Sequence, residues 1–104
     1  MEFLNRIELA GVVGTIRKQT FSGRNVANFS LVTEYCYKDK NDCSVVETTW
    51  HNVVAWQTGE MPLDLIEKGT HVCVQGRLRC RRYTAENGET KTFYEVIATS
   101  VNIL

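Results

Sequence analysis

Apolar and polar side chains alternate with a period of two over most of this chain, the spacing of half-buried β-strands. From Arg6 to Ile16 the run RIELAGVVGTI puts Ile7, Leu9, Gly11 and Val13 on one face, and Gly11 and Gly14 mark sharp curvature or a bulge. Arg17 to Gly23 reads as a polar connection ending in the turn-prone Ser22-Gly23. A second strand, about Asn25 to Tyr37, alternates Ala27, Phe29 and Leu31 against Asn28, Ser30 and Val32. The charged turn Lys38 to Asp42 links it to a third, about Val45 to Trp56, so a hairpin is expected. In that third strand Trp50, Asn52, Val54 and Trp56 share one face, and His51, Val53 and Ala55 share the other.

One stretch has helical character, and it is at most about two turns long. Pro62 suits a first helical turn, Leu63, Leu65 and Ile66 supply an apolar side, and Gly69 is placed to end it. Thr70 to Tyr83 forms a fourth strand with Val72, Val74, Leu78 and Cys80 on one face and Arg77, Arg79, Arg81 and Tyr83 on the other. Glu86-Asn87-Gly88-Glu89 is a hairpin signal, because Asn-Gly tolerates the positive φ of a tight turn. The last strand, Lys91 to Leu104, takes Phe93, Ile97, Val101 and Ile103 as its apolar positions. Five strands with one short helix between the third and fourth is the order of the five-stranded Greek-key barrel called the OB-fold. The expected class is therefore all-β, with residues 1–104 as a single domain.

Composition agrees and narrows the options. A chain of 104 residues makes one small domain, burying roughly 60 to 70% of its unfolded surface. Apolar residues at 43% and charged residues at 23% suit a soluble globular protein. No apolar run approaches the ~20 residues of a membrane helix, and the opening Met1-Glu2-Phe3-Leu4-Asn5-Arg6 lacks a signal-peptide layout. The expected address is the cytoplasm, without membrane contact. The four cysteines, Cys36, Cys43, Cys73 and Cys80, are expected as free, buried or half-buried thiols. Each pair is separated by six residues, whereas structural zinc ligands usually lie about two to four apart, so no metal or other cofactor is assigned.

Twelve basic residues balance twelve acidic ones, but they are unevenly distributed. Between Gly69 and Ala85 there is no acidic residue, while Arg77, Arg79, Arg81 and Arg82 fall close together. A neutral domain can still carry a positive local surface. Single-stranded nucleic acids are held by such a surface together with exposed aromatic rings on which bases stack. The candidate rings are Tyr37, Trp50, Trp56 and Tyr83. The candidate phosphate ligands are Arg77, Arg79, Arg81, Lys38 and Arg17, with Lys18, Arg24, Lys68 and Lys91 as possible extensions. The competing readings are core packing for the tryptophans, ordinary surface positions for the tyrosines, and a solvated strand face for the arginines.

The segments NRIELAGVVG, NVANFSLVT, TTWHNVVAW, EKGTHVCVQGRLRCRRY and ENGETKTFYEVIA together resemble the bacterial single-stranded DNA-binding protein family across nearly the whole chain. The resemblance implies a non-catalytic, sequence-tolerant binder of single-stranded DNA that protects it in replication, recombination and repair and associates with the nucleoid. It maps the stacking rings onto Tyr37, Trp50, Trp56 and Tyr83, and it places His51 at a subunit interface of a homotetramer built from dimers. The family's acidic-tipped tail, which recruits replication and repair partners, has no counterpart in these residues, so the resemblance leaves such partners unassigned. A tailless primosomal replication-restart protein of the same fold is the alternative. A metal or redox enzyme finds no supporting spacing around His51 or the cysteines, so no catalytic residue is assigned.

Overall fold

The computed structural model describes residues 2–104. Five strands run in the order β1 (Ile7–Phe21), β2 (Arg24–Lys38), β3 (Ser44–Trp56), β4 (His71–Thr84) and β5 (Thr90–Ile103). They close into a barrel with neighbours β1-β2-β3-β5-β4. Closure uses the antiparallel β1·β4 ladder and a short parallel contact in which Val53, Val54 and Ala55 face Val96, Ile97 and Ala98. This is the OB-fold arrangement expected from the strand order.

Alternation decides which side chains enter the barrel. Val13 from β1, Ala27, Phe29 and Leu31 from β2, Val53 and Ala55 from β3, Val72 and Val74 from β4, and Val96, Ala98 and Val101 from β5 form the core. Two irregularities bend the sheet into closure. The β1 register shifts between Val13 and Ile16, and there Val13 exchanges backbone hydrogen bonds with the loop, donating to Thr70 O at 2.9 Å and accepting from Gly69 N at 2.8 Å. On β5, Thr99 is an extra residue between Ala98, which pairs with Gly76, and Ser100, which pairs with Gln75.

That second bulge corrects the sequence reading of the last strand. An added residue reverses side-chain parity. Val101 therefore points inward as expected, but before the bulge the inward residues are Ala98 and Val96, and Phe93, Glu95 and Ile97 turn outward.

The expected helix is a single 3-10 turn, Leu63–Leu65. Of the expected apolar side, Leu63 and Ile66 plug the barrel between β3 and β4 together with Met61, whereas Leu65 is exposed, because a single 3-10 turn turns it away from the core. Residues 17–21, read as a connection, continue β1, and the turn shrinks to Ser22-Gly23. Those residues are exposed on both faces, so no apolar alternation marks them. The β2–β3 and β4–β5 hairpins likewise project beyond the barrel. A radius of gyration of 16.2 Å, against about 13 Å for a compact chain of this length, reflects these arms. Cys36, Cys43 and Cys80 lie on them and are exposed, contrary to the expected burial, whereas Cys73 is half-buried; all four are free.

Candidate nucleic-acid interface

The outer surface of the barrel carries one continuous row that includes most of the candidate side chains. Register places Arg17 beside Asn28, Asn28 beside Val54, Ser30 beside Asn52 and Val32 beside Trp50. Val54 then pairs with Ile97, and Arg77, Arg79, Arg81 and Tyr83 on β4 stand across from Ile97, Glu95, Phe93 and Lys91. Because Val53 and Ala55 are sealed in the core, Trp50 and Trp56 must face outward.

Trp50 is 61% exposed, which excludes core packing. Its indole lies across Gly14: a Cβ at that glycine would come within 2.5 Å of Cζ3. The bare backbone of the β1 bulge is thus the seat of the ring. Trp56 is half-buried, and its surroundings differ. The Arg24 guanidinium sits 5.0 Å from its ring centroid, and Phe21 packs at 6.3 Å with a 54° tilt. A base stacking there meets an aromatic already covered on one side by a cation.

Between these strands lies an open cleft of about 520 Å³, bordered by Arg17, Asn28, Ser30, Asn52, Arg81, Phe93 and Glu95. Ser30 is fixed by the Thr15 backbone amide, which donates to its Oγ at 2.9 Å. Glu95 is the one buried charged residue among those described, at 4% exposure. Its Oε1 accepts from Arg79 Nε at 2.9 Å, is also contacted by Arg79 Nη2, and lies 3.8 Å from Arg81 Nη1. The arginine stretch has no acid in its own sequence neighbourhood, yet the fold supplies one from the paired strand. Two cations against one carboxylate leave the region positive. Arg17 and Arg77 form no ion pair among the described residues.

Tyr83 is 49% exposed and meets Phe93 edge-on, with centroids 5.8 Å apart. Arg81 stacks over the same Phe93 at 5.6 Å. Two other candidates stand apart from this row. Tyr37 lies on the unbroken β2–β3 ladder, where parity puts it on the face continuous with Leu31 and Thr33, opposite Trp50. It stacks instead on Tyr35, with centroids 6.0 Å apart. Lys38 sits near the arm's tip in an exposed ion pair with Asp42 at 3.6 Å, a contact of little energetic consequence.

His51 occupies the inward face at the barrel rim, half-buried, with Nε2 2.9 Å from Thr33 Oγ1. Burial holds its imidazole below the ordinary 6.5. Among the described residues no group of three or more His, Cys, Asp or Glu is placed to hold a metal ion, and no helix is long and apolar enough to cross a membrane. Sequence reasoning missed Glu95, Phe93, Asn28, Ser30 and Asn52 as members of this surface. The available signal was Glu95 itself, since a carboxylate between Phe93 and Ile97 is out of place on a core-facing row.

The profile of the Single-strand binding protein family matches residues 4–104. The single-stranded DNA-binding protein 1 of Chlorobaculum tepidum is 32% identical over 97% of this chain and 65% of its own length. That of Neisseria meningitidis serogroup A is 30% identical over 97% of the chain and 60% of its own. The chain thus spans 60–65% of the length of these curated relatives. Among solved structures, a Plasmodium falciparum SSB in complex with ssDNA superposes with a TM-score of 0.87 at 28% identity, covering 100% of this chain and 97% of the other. A deletion mutant of the single-stranded DNA binding protein from Thermus aquaticus shares the fold, with a TM-score of 0.79 at 24% identity over 97% of this chain and 50% of that one. With its closed five-stranded barrel and a family match that runs from the first strand to the last residue, the chain belongs to the single-strand binding protein family.

Proposed function

We propose that this protein binds single-stranded DNA with little regard to sequence, stacking bases on Trp50, Trp56 and Tyr83 while Arg17, Arg77 and Arg81 neutralise phosphates. The observation that carries this reading is the exposed Trp50 indole, seated on Gly14 beside a cleft edged by cations from β1 and β4. A large aromatic displayed on a positive strand face is what base stacking needs, at about 1–3 kcal/mol per base. Tyr37, with Tyr35, forms a separate platform on the β2–β3 arm that a strand leaving the barrel reaches, and Lys38, next in the strand, adds a cation on the arm's other face. Arg79 acts mainly through its bond to Glu95.

The protein works as a homo-oligomer, a tetramer built from dimers, with His51 at the rim facing a sister subunit. Its role is to hold and protect single strands during replication, recombination and repair in the cytoplasm, without catalysis. Titrating intrinsic tryptophan fluorescence with poly-dT tests the central claim. Strong quenching that weakens with salt is expected, and unchanged emission at saturating DNA removes it. Sedimentation of the wild type and His51→Ala checks the assembly, which the substitution should weaken.

A further inference from the structure

The outward row that carries Trp56 does not end at Trp56. On β1 and β2 the register continues beyond Arg17 and Asn28 to Phe21 and Arg24, the pair that flanks the Ser22-Gly23 turn. Parity puts these four side chains and Trp56 on one face of the sheet. Phe21 is 53% exposed although it touches Trp56, so much of its ring meets water. Arg24 lies over the Trp56 indole and forms no ion pair among the described residues, which leaves its charge uncompensated. The tip is also held in shape. Ser22 and Gly23 both have positive φ, at 50° and 79°, the two-residue turn whose twist matches that of the flanking strands. Thr20 Oγ1 donates to Asn25 Oδ1 at 2.7 Å, and Gln57 N donates to the Asn25 carbonyl at 2.8 Å, tying the tip to the end of β3.

Resting on the single-stranded DNA reading, we infer that the DNA path runs past Trp56 onto the β1–β2 hairpin tip, where Phe21 stacks one further base and Arg24 takes a phosphate beside it. The Phe21 and Trp56 rings, with centroids 6.3 Å apart and planes tilted by 54°, are too close and too tilted to admit a base between them. They serve neighbouring nucleotides instead, each ring offering its own surface. A guanidinium lying on an indole keeps its N–H donors at its edge, where an anionic oxygen meets them. The fixed turn adds to the effect, since a ring presented on a preorganised tip loses little freedom when a base covers it. Stacking of this kind is sequence-tolerant, so the tip lengthens the contact without adding base selection.

The test compares Phe21→Leu, which keeps an apolar contact with Trp56, with Phe21→Tyr, which keeps the ring, by anisotropy of labelled oligo-dT. Phe21→Leu should bind about fivefold more weakly or worse, the lower end of what one stacked base contributes, and Phe21→Tyr should match the wild type. Arg24→Gln should lower the log–log salt slope by about 0.7. Irradiating the wild type bound to strands that carry iododeoxyuridine should crosslink Phe21, a contact that a ring serving only to shield Trp56 does not make. Should a variant fold poorly, that crosslink decides alone. Wild-type affinity in Phe21→Leu together with no crosslink at Phe21 overturns the inference, and quenching of Trp50 by the same strands then leaves single-strand binding intact. A wild type that fails to bind oligo-dT sinks both readings.

Discussion

Gly14 offers no side chain to a DNA strand, yet replacing it should weaken DNA binding. Its backbone φ is not in the left-handed region, so the effect of Gly14→Ala is purely one of space. The added Cβ would lie 2.5 Å from Trp50 Cζ3, 2.9 Å from Cη2 and 2.8 Å from Ser30 Oγ. Carbon atoms in contact need about 3.5–4.0 Å, so the indole must retreat by roughly 1 Å or more. Trp50 is exposed and free to swing away, whereas Ser30 is tied by the Thr15 amide at 2.9 Å. The ring therefore moves first. The stability cost should stay within about 1–3 kcal/mol, and the fold should survive. Loss of a stacking platform costs about 1–3 kcal/mol of binding, or roughly 5- to 150-fold in affinity. A Trp56→Phe background isolates the Trp50 signal, and poly-dT quenching of its fluorescence reports both ring environment and affinity. A folded Gly14→Ala protein with wild-type affinity and unchanged quenching would refute the claim that the glycine seats the stacking ring.

Three further outcomes follow from the same geometry. Arg77→Gln should lower the salt dependence of DNA affinity by about 0.7 in log–log slope with little effect on stability, while Arg79→Gln should cost about 1–3 kcal/mol of stability by stripping Glu95 of its main partner; the opposite assignment of effects would show that the two arginines have been misread. Burial keeps His51 below its usual 6.5, so the unfolded chain binds more protons as pH falls through that value, and stability held above it is lost on acidification; thermal melts from about pH 8 to pH 5 should fall more steeply for wild type than for His51→Gln, and parallel curves count against the assignment. At Gly76 a Cβ would meet the Ile97 carbonyl oxygen at 2.1 Å, and because backbone cannot step aside Gly76→Ala should lose about 3 kcal/mol or more, a prediction that a melting temperature near the wild type's would contradict.

Much of the barrel was legible because each strand through the core is half-buried, and half-burial writes itself as alternation. Ile7, Leu9 and Val13, Ala27, Phe29 and Leu31, and Val53 and Ala55 all point as the pattern says. Where both faces meet water, the pattern fades, which is why residues 17–21 read as a loop although they pair with β2. Where a residue is inserted, the pattern inverts. The bulge at Thr99 sends Phe93, Glu95 and Ile97 outward, and a sequence read at strict period two cannot register that shift. The candidate site shows the same division. Trp50, Trp56 and the β4 arginines were visible from local order, but Tyr37 lies on the other face of its arm, and nothing local pairs Glu95 with Arg79.

By itself the sequence determined the strand count, the core positions of the first three strands and the family, because those depend on residue type and near-neighbour spacing. The tertiary structure alone decided which face of β5 is outside, which glycine carries Trp50, and which acid answers the arginines. These are contacts between residues distant in the chain, brought together by barrel closure and by two bulges whose positions follow from the packing of the whole sheet.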